Sequence, residues 1–436
     1  MRKINLSHGK FVPAAQSLQA VKKGMVIIIM DNQDYESEHE EPEEKEQNNT
    51  DSTDDSEKSK KGWIHTRLKK ILMLSGIIFL ILLLIFVWLV FTRSGRRVIY
   101  KIAGGMIYQS LDRDDDMETS SVIIPLEEKP DINQTDKPEN THDETKNENH
   151  GVIQRQKPAP RSEDYVSNYL IFGLEEIDNA RNADSIMIAS INTKDSSVKL
   201  TSLLRDTYIE MDGYSPRKLN AFFGSDGAKT LVKVVEDKYR VKIDGYAYIN
   251  FESFESIINY LGGIDIELGA EEAEYLNTTN YISNPKYRTV REGWNTLNGN
   301  QALGYCRVRR VETIGGANDD YGRTLRQRRV LRAVFNKYKS KGMLDLLRIS
   351  NNVLGYVKTN VTQSQIEKAL EDIIENKITT MDTIRVPVNG AFEAPTTYNG
   401  IGYPLINDWD ENIIQLYQHI YLDTEEEAKN NLEKYK

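Results

Sequence analysis

The longest apolar run in the chain is Ile71 to Phe91, broken only by Ser75 and Gly76. A run of that length crosses a bilayer as a helix, whereas a core helix would show a polar side. We therefore place one membrane span at 71–92. Residues 93–111 read as a juxtamembrane stalk, with Val98, Ile99, Ile102, Met106 and Ile107 continuing the apolar pattern. From Asp112 to about Arg161 the composition turns to Asp, Glu, Asn, Thr, Pro and Lys, which describes a disordered linker over 112–164. As a coil it reaches on the order of 40 Å.

Beyond it the pattern is that of a folded domain, 165–422, followed by a tail, 423–436. Asn168–Gly173, Ser185–Ile191 and Val198–Leu204 are short apolar runs of buried-strand type. Gly245–Phe251 and Ile264–Leu268 alternate, as half-buried strands do. Ala228–Tyr239 and Ser253–Leu261 have helical spacing, the second stopping at Gly262-Gly263. Gln301-Ala302-Leu303 is helical after Asn298-Gly299, and a long helix runs from Asp319 to about Ser340. Leu344–Tyr356, a helix at 363–376, a strand at 383–388 and a last helix at 411–421 complete the pattern. Alternating strands and helices predict an α/β (α+β) domain, a central mixed sheet flanked by helices.

The long helix departs from a simple amphipathic pattern. Val330, Leu331, Val334, Phe335 and Tyr338 define its buried face. Continued toward the N-terminus, that face lands on Gln327, Arg326 and Arg323, while Arg328, Arg329 and Arg332 point elsewhere. Buried guanidinium must be paired, and a helix start favours anions. Two arrangements satisfy this: a bound phosphate-like group, or internal ion pairs to Asp319 and Asp320.

Charge narrows the possibilities. The formal net charge is -10, which argues against a nucleic-acid partner. Between Asp31 and Glu57 the only basic residue among Lys and Arg is Lys45, so 1–70 reads as an acidic, disordered tail. Residues 1–29 differ, being basic. Lys22-Lys23-Gly24 is what a translated ribosome-binding site spells, and we expect the true start at Met25 or Met30. Lysines and arginines from Lys58 to Lys70 slightly outweigh those after the span, at Arg93, Arg96, Arg97 and Lys101. That bias predicts a cytoplasmic N-terminus and an external C-terminal domain. The single cysteine, Cys306, excludes an intrachain disulfide and reads as a small buried residue. Of the six histidines only His419 lies in the folded domain, which excludes a histidine-based metal site or triad there.

Candidate chemistry gathers at strand ends and helix starts, where open α/β sheets bind ligands. Asp184 precedes one strand, Arg205 and Asp206 follow another, and Arg307, Arg309 and Arg310 follow the helix at 301–303. Arg323, Arg326 and Gln327 open the long helix. Convergent arginines with a few carboxylates suit a pyrophosphate held by guanidinium forks, with a divalent cation on the carboxylates. Asp206 suits either a capping or a substrate role. Tyr246, Tyr248 and Phe251 read as core residues.

These motifs, in this order, resemble the LytR–CpsA–Psr family. The matching residues are Gly173-Leu174-Glu175, Asn182–Met187, Leu204–Tyr208, Lys218-Leu219-Asn220, Val235-Glu236-Asp237, Asn250-Phe251 and Leu261–Asp265. They continue through Leu297-Asn298-Gly299, Tyr305–Arg309, Asp320–Arg323 and Arg326-Gln327. The resemblance covers about Asn168 to Leu422. It implies a membrane-anchored phosphotransferase of a Gram-positive type bacterium. Such an enzyme moves a teichoic acid or capsule-type glycopolymer from an undecaprenyl-pyrophosphate carrier onto peptidoglycan, at the muramic acid C6 hydroxyl. It further implies that Arg205, Arg307, Arg309, Arg323 and Gln327 bind the pyrophosphate, with Arg326 and Lys218 as further contacts. Asp184 and Glu175 would hold Mg²⁺, and Asp320 would be the general base. Two positions depart from the family pattern. Glu175 stands where Asp is usual, with Asp178 as a rival ligand, and Asn182 stands where Arg is usual, with Arg181 next to it. The competing readings are a polyprenyl-pyrophosphate hydrolase or lipid-phosphate binding protein, and a regulatory attenuator. No helix-turn-helix supports direct control of DNA.

Overall fold

The computed structural model describes residues 54–114, 157–177, 180–339 and 341–436. The N-terminal 53 residues, most of the expected linker and Asp178 lie outside the described residues. Helix α1 (Asp54–Phe91) contains Met73–Phe91, which is long and apolar enough to cross a membrane. It starts inside the segment expected to be disordered, because the Lys, Glu and Arg residues before the span are good helix formers.

The folded body is built on a seven-stranded sheet. Its centre is the hairpin of β2 (Val166–Ile177) and β3 (Ala180–Asn192), with β4 (Ser197–Leu203) antiparallel beside β3. β7 (Gly245–Asn250) runs parallel to β2, and β11 (Thr380–Val386) runs parallel to β4. On the far edge β10 (Lys358–Thr359) joins β7, and β1 (Asp112–Arg113) joins β10. The strand order is thus β1-β10-β7-β2-β3-β4-β11, the mixed sheet of the expected α/β fold. A small hairpin, β5 (Tyr208–Met211) and β6 (Tyr214–Lys218), follows β4 and returns Lys218 beside Asp206. Asp212-Gly213 makes its turn, with Gly213 at φ 82°.

Period-two alternation gives the sheet two different faces. Leu170, Phe172 and Leu174 of β2 and Ile186 and Ile188 of β3 enter the main core. There they meet helix α3 (Phe223–Tyr239) and helix α10 (Trp409–Tyr421) through Leu231, Val235, Leu416 and Tyr417. The opposite face looks toward α4 (Phe251–Tyr260), α6 (Gly299–Arg307) and α7 (Asp319–Tyr338). Those helices share a second core with α5 (Ala270–Thr278) and the ribbon of β8 (Ile264–Leu268) and β9 (Gly293–Leu297), where Ile266, Leu276, Tyr305 and Val330 meet. Helix α8 (Met343–Val353) follows α7 and leads back to the edge of the sheet.

Two expected boundaries are corrected. Residues 93–111 are not a stalk: α2 (Arg93–Ser110) packs on α9 (Gln363–Glu375), burying Tyr100, Ala103 and Gly104. Arg96 donates to both carboxylate oxygens of Glu375 at 2.7 Å, and the chain then enters β1. The large apolar residues Val98, Ile102 and Met106 are the exposed ones, and the buried stripe is Tyr100, Ala103 and Gly104. Nor are residues 423–436 a loose tail. Helix α11 (Glu425–Tyr435) inserts Ala428 and Leu432 into the main core, and Asp423 pairs with buried Arg161 at 2.5 Å.

Candidate active site

The site forms where the free face of the sheet meets the N-terminal end of α7. Ile171, Gly173 and Glu175 of β2 alternate with the core residues and so point the other way, as do Met187 of β3 and Ala247 and Ile249 of β7. With Phe251, Phe254, Leu303, Val330 and Leu331 they line a cavity of about 490 Å³. Phe251 belongs to this lining, which corrects its assignment to the core; Tyr246 and Tyr248 are core residues as expected, Tyr248 stacked on Phe172 at 4.9 Å. Cys306 also faces the cavity.

Charged groups concentrate at one part of this apolar cavity: Glu175, Asp184, Arg307, Arg309, Arg310 and Arg323, with Gln327 beside them. Arg205, at the end of β4, donates to Asp184 Oδ1 at 2.6 Å. Arg323 stands 3.3 Å from Asp320 and 4.0 Å from Asp184, and Arg309 stands 3.3 Å from Asp320. Arg307 reaches Glu175 at 3.3 Å while lying over the Phe251 ring. Lys218 holds Asp206 at 2.9 Å. Gly322 permits the tight start of α7, because a Cβ there would meet the Ala317 carbonyl at 2.7 Å. The neighbouring Asp319 is held in the left-handed region at φ 50° and makes no ion pair with Arg323 among those described.

Guanidinium groups here lack full pairing. The Nε atoms of Arg205 and Arg323 are buried without a hydrogen-bond partner, that of Arg205 standing 3.6 Å from Asp206 and 3.7 Å from Asp320. Burial, with only partial compensation from Asp320 and reinforced by Arg205 and Arg309, pushes Arg323 down to about 10. An anion that took up these donors would relieve both penalties.

The carboxylates form two contacting pairs. Burial, and then the neighbouring Asp184, raises Glu175 above the usual carboxylate range. Burial would also raise Asp184, but contacts from Glu175, Arg205 and Arg323 outweigh it and hold Asp184 low. Asp320 is raised, first by burial and also by Asp206, against the pull of its arginines. Asp206 is held low, since burial is outweighed by Asp320 and Lys218. In each pair the proton affinities of the two carboxylates are thus pushed apart.

The chain matches the LytR_cpsA_psr family over residues 131–412. It belongs to that family. Among similar proteins, one from Bacillus cereus (strain AH820) is named a polyisoprenyl-teichoic acid–peptidoglycan teichoic acid transferase, TagU. It is 31% identical over 252 residues, covering 56% of this chain and 74% of its own. TagV of Bacillus subtilis (strain 168), named for the same transfer, is 28% identical over 183 residues, 41% of this chain and 45% of its own. The crystal structure of B. subtilis TagV aligns with a TM-score of 0.47 at 22% identity, over 60% of this chain and 99% of that one.

In this member of the LytR–CpsA–Psr family, the expected site residues mostly converge. Arg205, Arg307, Arg309, Arg323, Gln327, Lys218, Asp184, Glu175 and Asp320 lie in or beside one cluster. Arg326 does not, and its role as a phosphate contact is withdrawn. It is wholly buried in the second core, bonded to Glu272 Oε1 at 2.8 Å and to the carbonyls of Val308 and Val311 at 3.1 and 2.8 Å. Arg181 does not replace the missing arginine at 182, because it is exposed and paired with Glu176 at 3.0 Å. Asp206 stands beside Asp320 rather than capping a helix. Arg328, expected to point away, is buried against the sheet, which its helical position alone did not reveal.

Glu175 and Asp184 are the carboxylates that could hold a divalent cation, and arginines pair with both, Arg205 with Asp184 at 2.6 Å and Arg307 with Glu175 at 3.3 Å. Two hard carboxylate groups, Glu175 and Asp184, contact one another, an arrangement that a cation between them would favour. No cluster of three or more His, Cys, Asp or Glu residues fit to hold a metal occurs among the described residues, so water and phosphate oxygens would complete the shell. Mg²⁺ commonly binds in that way.

Proposed function

We propose that this chain is a phosphotransferase that moves a teichoic acid-type glycopolymer from a polyisoprenyl-pyrophosphate carrier onto peptidoglycan. One observation carries the reading: Arg307, Arg309 and Arg323, the last with its Nε buried and without a hydrogen-bond partner, line a largely apolar cavity of about 490 Å³. That pairing of a charged head site with an apolar slot matches an amphiphile whose pyrophosphate sits on the arginines and whose isoprenoid lies along the cavity. The names of the related TagU and TagV proteins support the same substrates.

The residues divide the work as follows. Arg205, Arg307, Arg309 and Arg323 hold the pyrophosphate oxygens, and Gln327 adds a neutral donor. Asp320 takes the proton from the acceptor hydroxyl, and its raised affinity for protons suits a general base. The acceptor oxygen bonds to the phosphorus bearing the glycan, and the bond to the polyprenyl phosphate breaks. The leaving phosphate gains negative charge, which Arg205 and Arg323 stabilise. Lys218 keeps Asp206 ionised and so favours a proton on Asp320 after the transfer. Mg²⁺ on Asp184 and Glu175 would neutralise pyrophosphate charge. The flanking charges support a cytoplasmic N-terminus and an external domain, next to peptidoglycan.

The full chain in detergent, given a polyprenyl-pyrophosphate-linked glycan and peptidoglycan fragments, should yield a phosphodiester-linked product visible by mass spectrometry. Release of glycan phosphate to water, at a rate independent of added peptidoglycan, would instead support the hydrolase reading.

A further inference from the structure

A second group of arginines lies on the same sheet face, away from the clamp. Arg328 of α7 is only 8% exposed, and it donates to Ser202 Oγ of β4 at 2.9 Å. Its Nε is buried without a partner. Arg385 of β11 is the registered neighbour of Ser202 on the adjoining strand, and its Nη1 is also buried and unpartnered. Arg385 donates to Asn389 and lies under the Tyr321 ring, 4.2 Å from its centroid. Arg332, one helical turn beyond Arg328, donates to the Met381 carbonyl at 3.1 Å and to Thr383 Oγ1 at 3.4 Å.

No ion pair joins Arg328, Arg332 or Arg385 to a carboxylate among the described residues. Asp382, the nearest acid in sequence, pairs with Lys199 at 2.8 Å and acts on Arg332 only through space. Burial and the charges of Arg385 and Arg332 push Arg328 down to about 10. A fold that existed only to be stable would not bury a guanidinium among like charges. The cluster adjoins the site: Tyr321, over Arg385, directly follows Asp320, and Ser202 pairs with Met187 of the cavity wall. Arg385 is half-buried and Arg332 is exposed, so a ligand has access from solvent.

We propose that Arg328, Arg332 and Arg385 form a second oxyanion subsite, which takes a phosphate or carboxylate group of the polymer or acceptor beside the reacting pyrophosphate. This rests on the transferase reading for its biological source, while the anion binding itself stands apart from it. A teichoic acid chain repeats its phosphodiesters, so a second phosphate next to the first is chemically natural. Peptidoglycan offers carboxylates with the same fork geometry for guanidinium.

The test uses the full chain in detergent carrying Arg205→Ala, which disables the clamp. Melting temperature is followed against inorganic phosphate, with acetate as the carboxylate probe and chloride fixing ionic strength. Phosphate should still raise the melting temperature. Adding Arg328→Met or Arg385→Gln should weaken apparent phosphate affinity by roughly tenfold or more. Without added anion, Arg328→Met should melt at the same temperature or higher, because it removes an unpaired buried charge. A response to phosphate alone assigns the subsite to polymer phosphodiesters; an equal response to acetate assigns it to acceptor carboxylates. No response to either anion, or a response unchanged in both variants, overturns the proposal. A marked fall in the anion-free melting temperature of both variants also overturns it, since these arginines would then be structural. Failed transfer by the intact chain, with phosphate binding retained, would count against the proposed function and not the subsite.

Discussion

Arg323 and Arg326 lie less than one turn apart on α7, yet their deletion should have opposite consequences. Arg326 is wholly buried and satisfies Glu272, itself 1% exposed, together with two backbone carbonyls. Arg326→Ala leaves that carboxylate unpaired in the second core. Breaking a buried pair from one side costs about 3–5 kcal/mol. For a domain of this size that lowers the melting temperature by roughly 6–20 °C. Arg323 is nearly as buried, but its Nε has no partner and it is crowded by Arg205 and Arg309. Arg323→Ala removes repulsion along with its contacts to Asp320 and Asp184, so the melting temperature should hold or rise. Its cost should fall on transfer. A lost donor to a developing anion costs about 2.7–4 kcal/mol, roughly a hundredfold to a thousandfold in rate. Paired melting curves and product assays on the two variants decide the matter. A strongly destabilised Arg323→Ala with near-normal activity per folded molecule would refute the clamp. A stable, inactive Arg326→Ala would overturn the structural role given to Arg326.

Other outcomes follow from the same contacts. Removing 423–436 takes out Ala428, Leu432 and the Arg161–Asp423 pair, and should cost several kcal/mol, visible in denaturant unfolding. His419 is pushed down to about 4 by burial and then by Lys199. The unfolded chain binds that proton first as pH falls, so stability is complete above roughly pH 6.5 and declines toward pH 4. His419→Gln should flatten that slope in thermal scans. A reporter active only in the cytoplasm, fused after Lys436, should stay silent; activity there would reverse the proposed topology. Glu175→Gln should weaken the Mg²⁺ dependence of transfer, and an unchanged metal titration would remove Glu175 from the cation site.

Some of this architecture was legible in the sequence, and the rest was concealed for physical reasons. Strands such as Ser197–Leu203 and Ile264–Leu268 announce themselves, since their apolar period matches a buried or half-buried sheet. Arg323 and Gln327 were recognisable because charge continued an apolar stripe at a helix start. Arg326 follows the same stripe, yet a shift of roughly 60° around the helix turns it from the cavity into the second core. Arg328 was missed because α7 is buried on several sides: against the second core, the cavity and the sheet. A single hydrophobic face describes a surface helix, not one packed between layers. Helix α11 was missed because it docks through Ala428 and Leu432 within an otherwise charged segment. Helix α2 resembles a stalk in the sequence because its obvious apolar residues, Val98, Ile102 and Met106, are exposed, while it docks on α9 through Tyr100, Ala103, Gly104 and ion pairs.

The central claim is that one molecule fills both the apolar cavity and the arginine cluster. Native mass spectrometry of the full chain, released from membranes of a Gram-positive host, tests it directly. The account predicts a bound polyprenyl phosphate or pyrophosphate. That mass should be lost in Leu303→Trp, which fills the cavity, and separately in Arg205→Ala, which opens the clamp. A chain carrying no such lipid, or carrying it equally in both variants, would contradict the account.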